Sequence, residues 1–176
     1  AIATTGYAQN GVHYVREVFA SPVDQVIVVR LTSDKPGRIS FTAQLRGNRN
    51  TAHSNYATDY FRMDSDGDDG LRLSGKSADY MGIEGKVRYQ VRLRALSEGG
   101  STRTNTDELI VQGADSVTLL ISAATNFVNY RALSADPAAR VESAVKAAAG
   151  KSFESVKSAH VKEHQRLFRR VDLNLP

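Results

Sequence analysis

The sequence contains no cysteine among its 176 residues. This absence excludes a disulfide framework, thiolate metal sites and a cysteine nucleophile. Long hydrophobic runs are also absent, because the longest uncharged apolar stretch, residues 117–124, is too short to span a bilayer. No segment combines a basic start, an apolar middle and a small-residue cleavage site, so no signal peptide is recognisable. These absences favour one globular domain with no membrane partner.

Charge of one sign is not concentrated in any part of the sequence. The 23 basic and 19 acidic residues give a net charge of +4 and are spread along the chain. A nucleic-acid-binding protein is expected to cluster its basic residues beside aromatic residues or glycine loops. We therefore predict no nucleic-acid partner.

Apolar and polar residues alternate with period two through much of the first 135 residues, a pattern that predicts β-strands. In the clearest case, residues 86–96, we expect the apolar side chains to be buried and the arginines to lie outside the core. The apolar set is Val87, Tyr89, Val91 and Leu93, and the arginines are Arg88, Arg92 and Arg94. Eight or nine such short strands favour a mainly β fold, an antiparallel β-sandwich, over a parallel sheet.

Turn residues predict how these strands connect. Asn10-Gly11 is typical of a two-residue type I′ hairpin. Residues 34–37 (DKPG) form a turn signal between two apolar runs, 26–31 and 39–45, which predicts a hairpin with one buried face. The polar residues 47–70 are expected to form a long loop.

The sequence changes character at Asp136. Asp136-Pro137 is typical of an N-cap followed by proline at the first helical position, and Gly150 is a typical helix stop. A second helix is predicted to begin at Ser152. Its apolar face would carry Phe153, Val156, His160, Leu167 and Phe168. The sequence thus predicts a β-sandwich over residues 1–135 and a helical linker over residues 136–176.

Residues 160–164 (HVKEH) match the H-x-x-E-H pattern of inverted zinc peptidases. On a helix, His160 and His164 could reach one metal while Glu163 polarised a water. The pattern has only three fixed letters, and the twelve residues that follow it leave no room for a downstream helix to supply a third ligand. We therefore expect His160 to pack on the apolar face, Glu163 and His164 to be mostly solvated, and no metal to bind.

Residues 64–70 (DSDGDDG) resemble the start of a calcium loop, with carboxylates at Asp64, Asp66 and Asp68. Calcium loops of the helix-loop-helix type need glycine at the sixth position and glutamate at the twelfth, where this sequence has Asp69 and Gly75. A solvated acidic loop is the favoured interpretation.

Three arginines, Arg88, Arg92 and Arg94, form a stripe on one sheet face. Such a stripe can bind phosphate or an acidic sugar, but it more often faces solvent or is covered by another domain. No G-x-S-x-G elbow or phosphate-binding glycine loop occurs, and no pair of carboxylates stands out for glycoside cleavage. The sequence predicts no catalytic residue and no cofactor.

Several blocks, in order along nearly the whole chain, resemble the N-terminal domain of glycoside hydrolase family 95. They are residues 11–21 (GVHYVREVFAS), 24–31 (DQVIVVRL), 113–115 (GAD), 123–127 (AATNF) and 160–175 (HVKEHQRLFRRVDLNL). The last block resembles the family's junction, in which an aromatic residue more usually stands at the position of His164. The resemblance thus explains the zinc-like motif without a metal.

The resemblance implies a fold, an activity and a partner. The fold would be a galactose-mutarotase-like super-sandwich, truncated at its N-terminus, with linker helices that lead to a missing (α/α)6 catalytic barrel. The parent enzyme would be an inverting α-L-fucosidase that hydrolyses terminal α-1,2-linked fucose on glycans, and its location would be periplasmic or secreted. The family's catalytic residues lie in the barrel, so this chain alone is expected to be inactive.

Two other functions remain open at this point. A freestanding carbohydrate-binding module would need exposed aromatic residues, for which Tyr56, Tyr60 and Phe61 are the candidates. A metallopeptidase fragment would depend on His160, Glu163 and His164. Glycan-array binding would test the first function, and metal analysis of the purified protein would test the second.

Overall fold

The computed structural model describes residues 1–47 and 61–172, which form ten strands and two helices. The strands are β1 (Ala3–Gln9), β2 (Val12–Ser21), β3 (Val26–Ser33), β4 (Ile39–Gln44), β5 (Phe61–Ser65), β6 (Gly70–Lys76), β7 (Arg88–Glu98), β8 (Ser101–Asn105), β9 (Glu108–Ala114) and β10 (Ser116–Thr125). The helices are α1 (Pro137–Ala149) and α2 (Phe153–Phe168).

The strands form two antiparallel sheets. The larger has the order β1-β2-β3-β10-β7-β6-β5, and the smaller has the order β4-β9-β8. The prediction of a mainly β sandwich followed by helices is confirmed. The count of eight or nine strands was wrong, because β5 lies inside the segment predicted to be a long loop and pairs with β6.

The predicted hairpin between residues 26–31 and 39–45 does not form. Instead, β3 pairs with β2 and β10, while β4 pairs with β9 in the other sheet. The turn carries the chain from one sheet to the other, and the Asp115 carboxylate accepts a 2.6 Å hydrogen bond from the Gly37 amide at this corner. The strand β3 is almost continuously apolar because both of its faces pack against other layers.

The predicted hairpin at Asn10-Gly11 is confirmed. Gln9 pairs with Val12, and the two turn residues have φ values of 50° and 70°. A type I′ turn requires positive φ at both positions, which asparagine and glycine tolerate best.

Two hydrophobic clusters hold the layers together. One lies between the sheets and contains Leu71, Leu93 and Leu109. The other lies between the outer face of the larger sheet and the helices, where Phe19 and Val28 meet residues of α1 and α2. The larger sheet is therefore the middle layer of the molecule.

The alternation predicted for β7 is confirmed, but its burial is uneven. Leu93 is buried, whereas Val87, Tyr89 and Val91 are only half-buried, so the prediction that all four are buried was wrong. Strand β7 has 11 residues, while the facing strands β8 and β9 have 5 and 7. The smaller sheet therefore covers only part of β7.

Both helices begin where the sequence predicts. The Asp136 carboxylate accepts hydrogen bonds from the amides of Ala138 and Ala139, and the Ser152 hydroxyl accepts one from the Ser155 amide. Gly150 ends α1, as expected. Neither described helix is long and apolar enough to cross a membrane.

We predict that Leu109→Ala destabilises the chain by about 2–5 kcal/mol, because Leu109 is fully buried between the sheets. Leu167→Ala is the matched control, since Leu167 is 46% exposed and its truncation should change the free energy of unfolding by less than about 1 kcal/mol. Urea unfolding of both variants provides the measurement. Similar losses of stability in the two variants would contradict the placement of Leu109 in the core and of Leu167 at the surface.

Candidate functional site

The histidine motif on α2 is part of the packed structure. His160 is buried, its ring stacks on Phe19 with the centroids 4.8 Å apart, and its Nε2 lies 3.0 Å from the Ala1 carbonyl oxygen. The expectation that His160 packs on the apolar face is confirmed.

The other two residues of the motif do not join His160 in a metal site. Glu163 forms a 2.6 Å ion pair with Arg166, whose hydrogen bonds lower the pKa of the Glu163 carboxyl. His164 stacks beside Phe168, and both Glu163 and His164 are half-buried rather than mostly solvated. Within residues 1–47 and 61–172, no group of three histidine or acidic side chains could hold a metal ion.

The acidic loop and the arginine stripe contact each other, although the sequence suggested two separate features. Asp66 pairs with Arg92, and Asp69 pairs with Arg94 at 2.9 Å. Arg92 also lies 3.8 Å from Glu142 of α1. The expected solvated loop was therefore wrong for Asp66 and Asp69, because the hairpin that joins β5 and β6 places these carboxylates beside β7. The ion pairs link β7, this hairpin and α1.

The remaining predicted residues lie apart from this cluster. Arg88 is exposed, and Asp64 pairs with Arg62 at 2.8 Å. Phe61 is half-buried at the start of β5, while Tyr56 and Tyr60 lie outside the described residues.

Asn126 organises one end of the larger sheet, a role that no sequence pattern predicted. Its side-chain oxygen accepts a hydrogen bond from the Arg88 amide, and its side-chain nitrogen donates to the carbonyls of Lys86 and Leu133. The residue is 2% exposed. Asparagine suits this position because only a side-chain amide offers both an acceptor and two donors. The only signal in the sequence was its place in the block AATNF.

Two tight turns extend from the segments that Asn126 joins. Tyr80 bridges to Ile83 in the first turn, and Asn129 bridges to Ala132 in the second. These segments carry large apolar side chains that are about half or more exposed, namely Tyr80, Met81, Ile83, Phe127, Val128 and Tyr130. We call this set the turn surface. Within each turn, several of these side chains are close together in sequence, and clustered exposed apolar residues mark interaction surfaces more often than isolated ones do.

Ion pairs attach the second helix to the larger sheet, and the turn before this helix to the turn between β2 and β3. Lys157 pairs with Glu17 at 2.6 Å, and Lys151 pairs at 2.6 Å with Asp24, whose side chain is 1% exposed. The last turn of the helix is less covered, because Leu167 and Phe168 are 46% and 74% exposed. The apolar face of α2 therefore packs on the sheet at its start and is open at its end.

Two grooves formed by described residues lack the free pair of carboxyl groups that glycoside cleavage requires. A groove of about 760 Å³ between α1 and the end of β10 contains a single carboxylate, Asp24, which is paired with Lys151. A second groove contains Asp66, Asp69 and Glu142, and each of these carboxylates has an arginine partner. Hydrolysis needs one carboxyl group as acid and another as base or nucleophile.

We predict that Asn126→Ala destabilises the chain by roughly 2–5 kcal/mol, because it leaves one amide and two carbonyls without their partner. The exposed Asn129 is the matched control, and Asn129→Ala should cost less than about 1 kcal/mol. Thermal unfolding measures both losses. If the two variants lose the same stability, Asn126 does not organise this end of the sheet.

Comparison with known proteins places the chain in a family. Residues 1–130 match the family described as "Glycosyl hydrolase family 65, N-terminal domain". The protein named Alpha-L-fucosidase 2 from Arabidopsis thaliana is 28% identical over 193 residues, an alignment that covers 99% of this chain and 22% of that protein. A solved structure titled "Putative kojibiose phosphorylase from human microbiome" has a TM-score of 0.50 at 14% identity and supports the fold alone.

That structure is matched over 92% of this chain and 22% of its own length, so the chain spans about a fifth of each of these two proteins. The family match begins at Ala1, includes all ten described strands and ends at residue 130, in the turn that follows β10. The chain belongs to the family of glycosyl hydrolase family 65 N-terminal domains.

Proposed function

We propose that this chain is the non-catalytic N-terminal domain of an inverting α-L-fucosidase of family 95, and that it supports a catalytic (α/α)6 barrel in the same polypeptide. The observation that carries the proposal is the alignment with Alpha-L-fucosidase 2 over 99% of the chain. The ordered sequence blocks that resemble family 95 support the same assignment. Because the relative is about five times longer, the catalytic groups would lie outside these 176 residues.

The supporting role is consistent with the distribution of exposed apolar residues. They are concentrated on the turn surface and on the last turn of α2, at Leu167 and Phe168. A barrel that covered either region would remove apolar side chains from water, which stabilises the assembly by about 25 cal/mol per Å² buried. The sandwich would then fix the position of the barrel.

In the parent enzyme, the chemistry would follow the inverting mechanism. A carboxylic acid would protonate the glycosidic oxygen of a terminal α-1,2-linked fucose, while a carboxylate activated a water for attack on the opposite face of the sugar. Neither group is assigned to this chain. Family resemblance also supports a periplasmic or secreted location for the parent enzyme.

We predict that the purified 176-residue chain does not hydrolyse 2′-fucosyllactose, because the acid and base lie outside it. The full-length protein, prepared in the same way, is the positive control and should release free fucose. Turnover by the chain that survives repurification would contradict the non-catalytic role. Inactivity of the full-length protein towards fucosides would contradict the fucosidase assignment.

We also predict that Phe168→Ala destabilises the full-length enzyme by about 2–5 kcal/mol but the isolated chain by less than about 1 kcal/mol. The reason is that Phe168 is largely exposed in the chain and would be covered by the barrel. Leu167→Ala should show the same difference to a smaller extent, because this side chain is already partly covered.

Thermal or urea unfolding of both proteins provides the comparison. Val28→Ala is the control, because Val28 is buried within the chain and its truncation should cost the same in both contexts. Equal losses of stability for Phe168→Ala in the two proteins would show that the barrel does not cover the end of α2.

A further inference from the structure

The outer face of the larger sheet carries a cleft beside the start of α1. Two adjoining depressions, with volumes of about 440 and 330 Å³, form this cleft. Lys76 and Arg88 line both depressions. Pro137, the first residue of α1, lines the larger one, so the N-terminal end of the helix borders the cleft. We call the two depressions together the cationic cleft.

Five polar residues of β5, β6 and β7 form one surface of the cationic cleft. They are Arg62, Ser74, Lys76, Arg88 and Gln90. Each is either paired directly with another of them across the sheet or two positions from one along a strand, so their side chains share a face. Arg92, two positions after Gln90, pairs with Glu142 of α1. The shared face is therefore the outer face, on which the helices pack.

Two cations of the cleft have no acidic partner within the part of the chain that the structure describes. Lys86 and Arg88 are exposed, and no described carboxylate lies within ion-pair distance of either. Arg62 and Lys76, in contrast, lie beside carboxylates. Glu84, the one acidic residue among the described residues that line the cleft, is 3.8 Å from Lys76. The positive charges of Lys86 and Arg88 are therefore available to an anion.

The buried Asn126 holds the backbone of both free cations. Its Oδ1 accepts a 2.9 Å hydrogen bond from the Arg88 amide, and its Nδ2 donates a 3.1 Å hydrogen bond to the Lys86 carbonyl. Arg88 also pairs with Lys76 of the neighbouring strand. A backbone that is fixed before binding loses less conformational freedom when a ligand binds. The cleft is therefore preorganised at the position of its free charges.

Neutral polar groups lie beside Arg88. Gln90 is two positions from Arg88 on the same face, and Ser74 is the cross-strand partner of Gln90. Within the described ranges, neither the Ser74 hydroxyl nor the Gln90 side-chain amide forms a hydrogen bond with the protein. A hydroxyl and an amide can each donate and accept, so both groups can bind the hydroxyls of a sugar.

The free positive charge is confined to one end of β7. The next cations along this strand, Arg92 and Arg94, are paired with Asp66 and Asp69. A nucleic acid needs cations along several phosphates, whereas one guanidinium binds one carboxylate through two parallel hydrogen bonds. The cationic cleft therefore fits a ligand with one anionic group beside several hydroxyls, and it suits a nucleic acid poorly.

We infer that the cationic cleft binds an acidic sugar of the uronic acid type. The Arg88 guanidinium would bind the sugar carboxylate, and Lys86 would add a second positive charge. Ser74 and Gln90 would hydrogen-bond the ring hydroxyls. The inference goes beyond the proposed function and does not depend on the fucosidase assignment, because all of these groups belong to the described chain.

Isothermal titration calorimetry of the full-length protein with tetragalacturonate tests the site. The fully methyl-esterified tetrasaccharide is the matched neutral probe, because it keeps the sugar rings and lacks the charge. We expect tetragalacturonate to bind at least about tenfold more tightly than the ester, since only a carboxylate accepts charge-assisted hydrogen bonds. Added salt should weaken the binding, because exposed charges are screened. Equal affinity for the two probes, or binding of neither, would overturn the inference.

Substitutions locate the binding in the cleft. Arg88→Gln should weaken tetragalacturonate binding by about tenfold or more, and Arg88→Lys by less, because lysine keeps the charge but loses the planar fork. Arg103→Gln is the control, because Arg103 is an exposed arginine of β8 in the smaller sheet. Arg88→Gln should unfold at the same temperature as the unsubstituted protein, since its side chain has no partner among the described residues. Unchanged binding in Arg88→Gln, or an equal loss in Arg103→Gln, would overturn the assignment.

Inorganic sulfate distinguishes a sugar site from a general anion site. Sulfate at the same concentration as tetragalacturonate should not displace it, because sulfate lacks the ring hydroxyls that Ser74 and Gln90 would bind. Displacement by sulfate would mean that the cleft recognises charge alone and would overturn the inference. The assay on 2′-fucosyllactose is a separate readout, so failure of the fucosidase assignment and failure of the acidic-sugar site are distinguishable.

Discussion

The burial of both faces of β10 is the constraint on which the rest of the structure depends. This strand lies between β3 and β7, and all of its first five residues are buried. Leu119 faces the core between the sheets, while Leu120 faces the helices. A strand covered on both sides can be apolar throughout, and it joins the two hydrophobic clusters through a single backbone. The smaller sheet and the helices both depend on this middle layer.

Ion pairs connect the layers outside the hydrophobic clusters. Arg92 lies between Asp66 of the β5–β6 hairpin and Glu142 of α1, while Lys151 reaches the buried Asp24. Exposed ion pairs contribute little, but removing one partner of a buried carboxylate leaves a charge without compensation. These pairs link the two helices and the turn before α2 to the sheet and its loops. In the folded chain, most of the charged residues that looked like binding sites form ion pairs with one another.

Local features of the sequence predicted local structure well. The type I′ turn at Asn10-Gly11 and the N-cap at Asp136 follow from the φ preferences and side-chain acceptors of a few adjacent residues. The sheet in which β4 pairs could not be predicted in this way. A turn between two apolar runs has the same sequence pattern whether it closes a hairpin or connects two sheets. The contact of Asp66 with Arg92 joins residues 26 positions apart and depends on strand order. Likewise, Asn126 becomes recognisable only when β7 and β10 lie side by side.

The architecture of this domain does not specify a reaction. The chain aligns with a protein named as a fucosidase and shares its fold with one titled as a phosphorylase, and these names describe different reactions. A fold supports many functions, so specificity has to come from groups that contact the substrate. In the described chain, the carboxylates of the two grooves are paired with basic side chains, and the exposed apolar residues lie on turns and at a helix end. Under the proposed function, the exposed apolar residues would pack on the catalytic domain, and that domain would carry the acid and the base that contact the substrate.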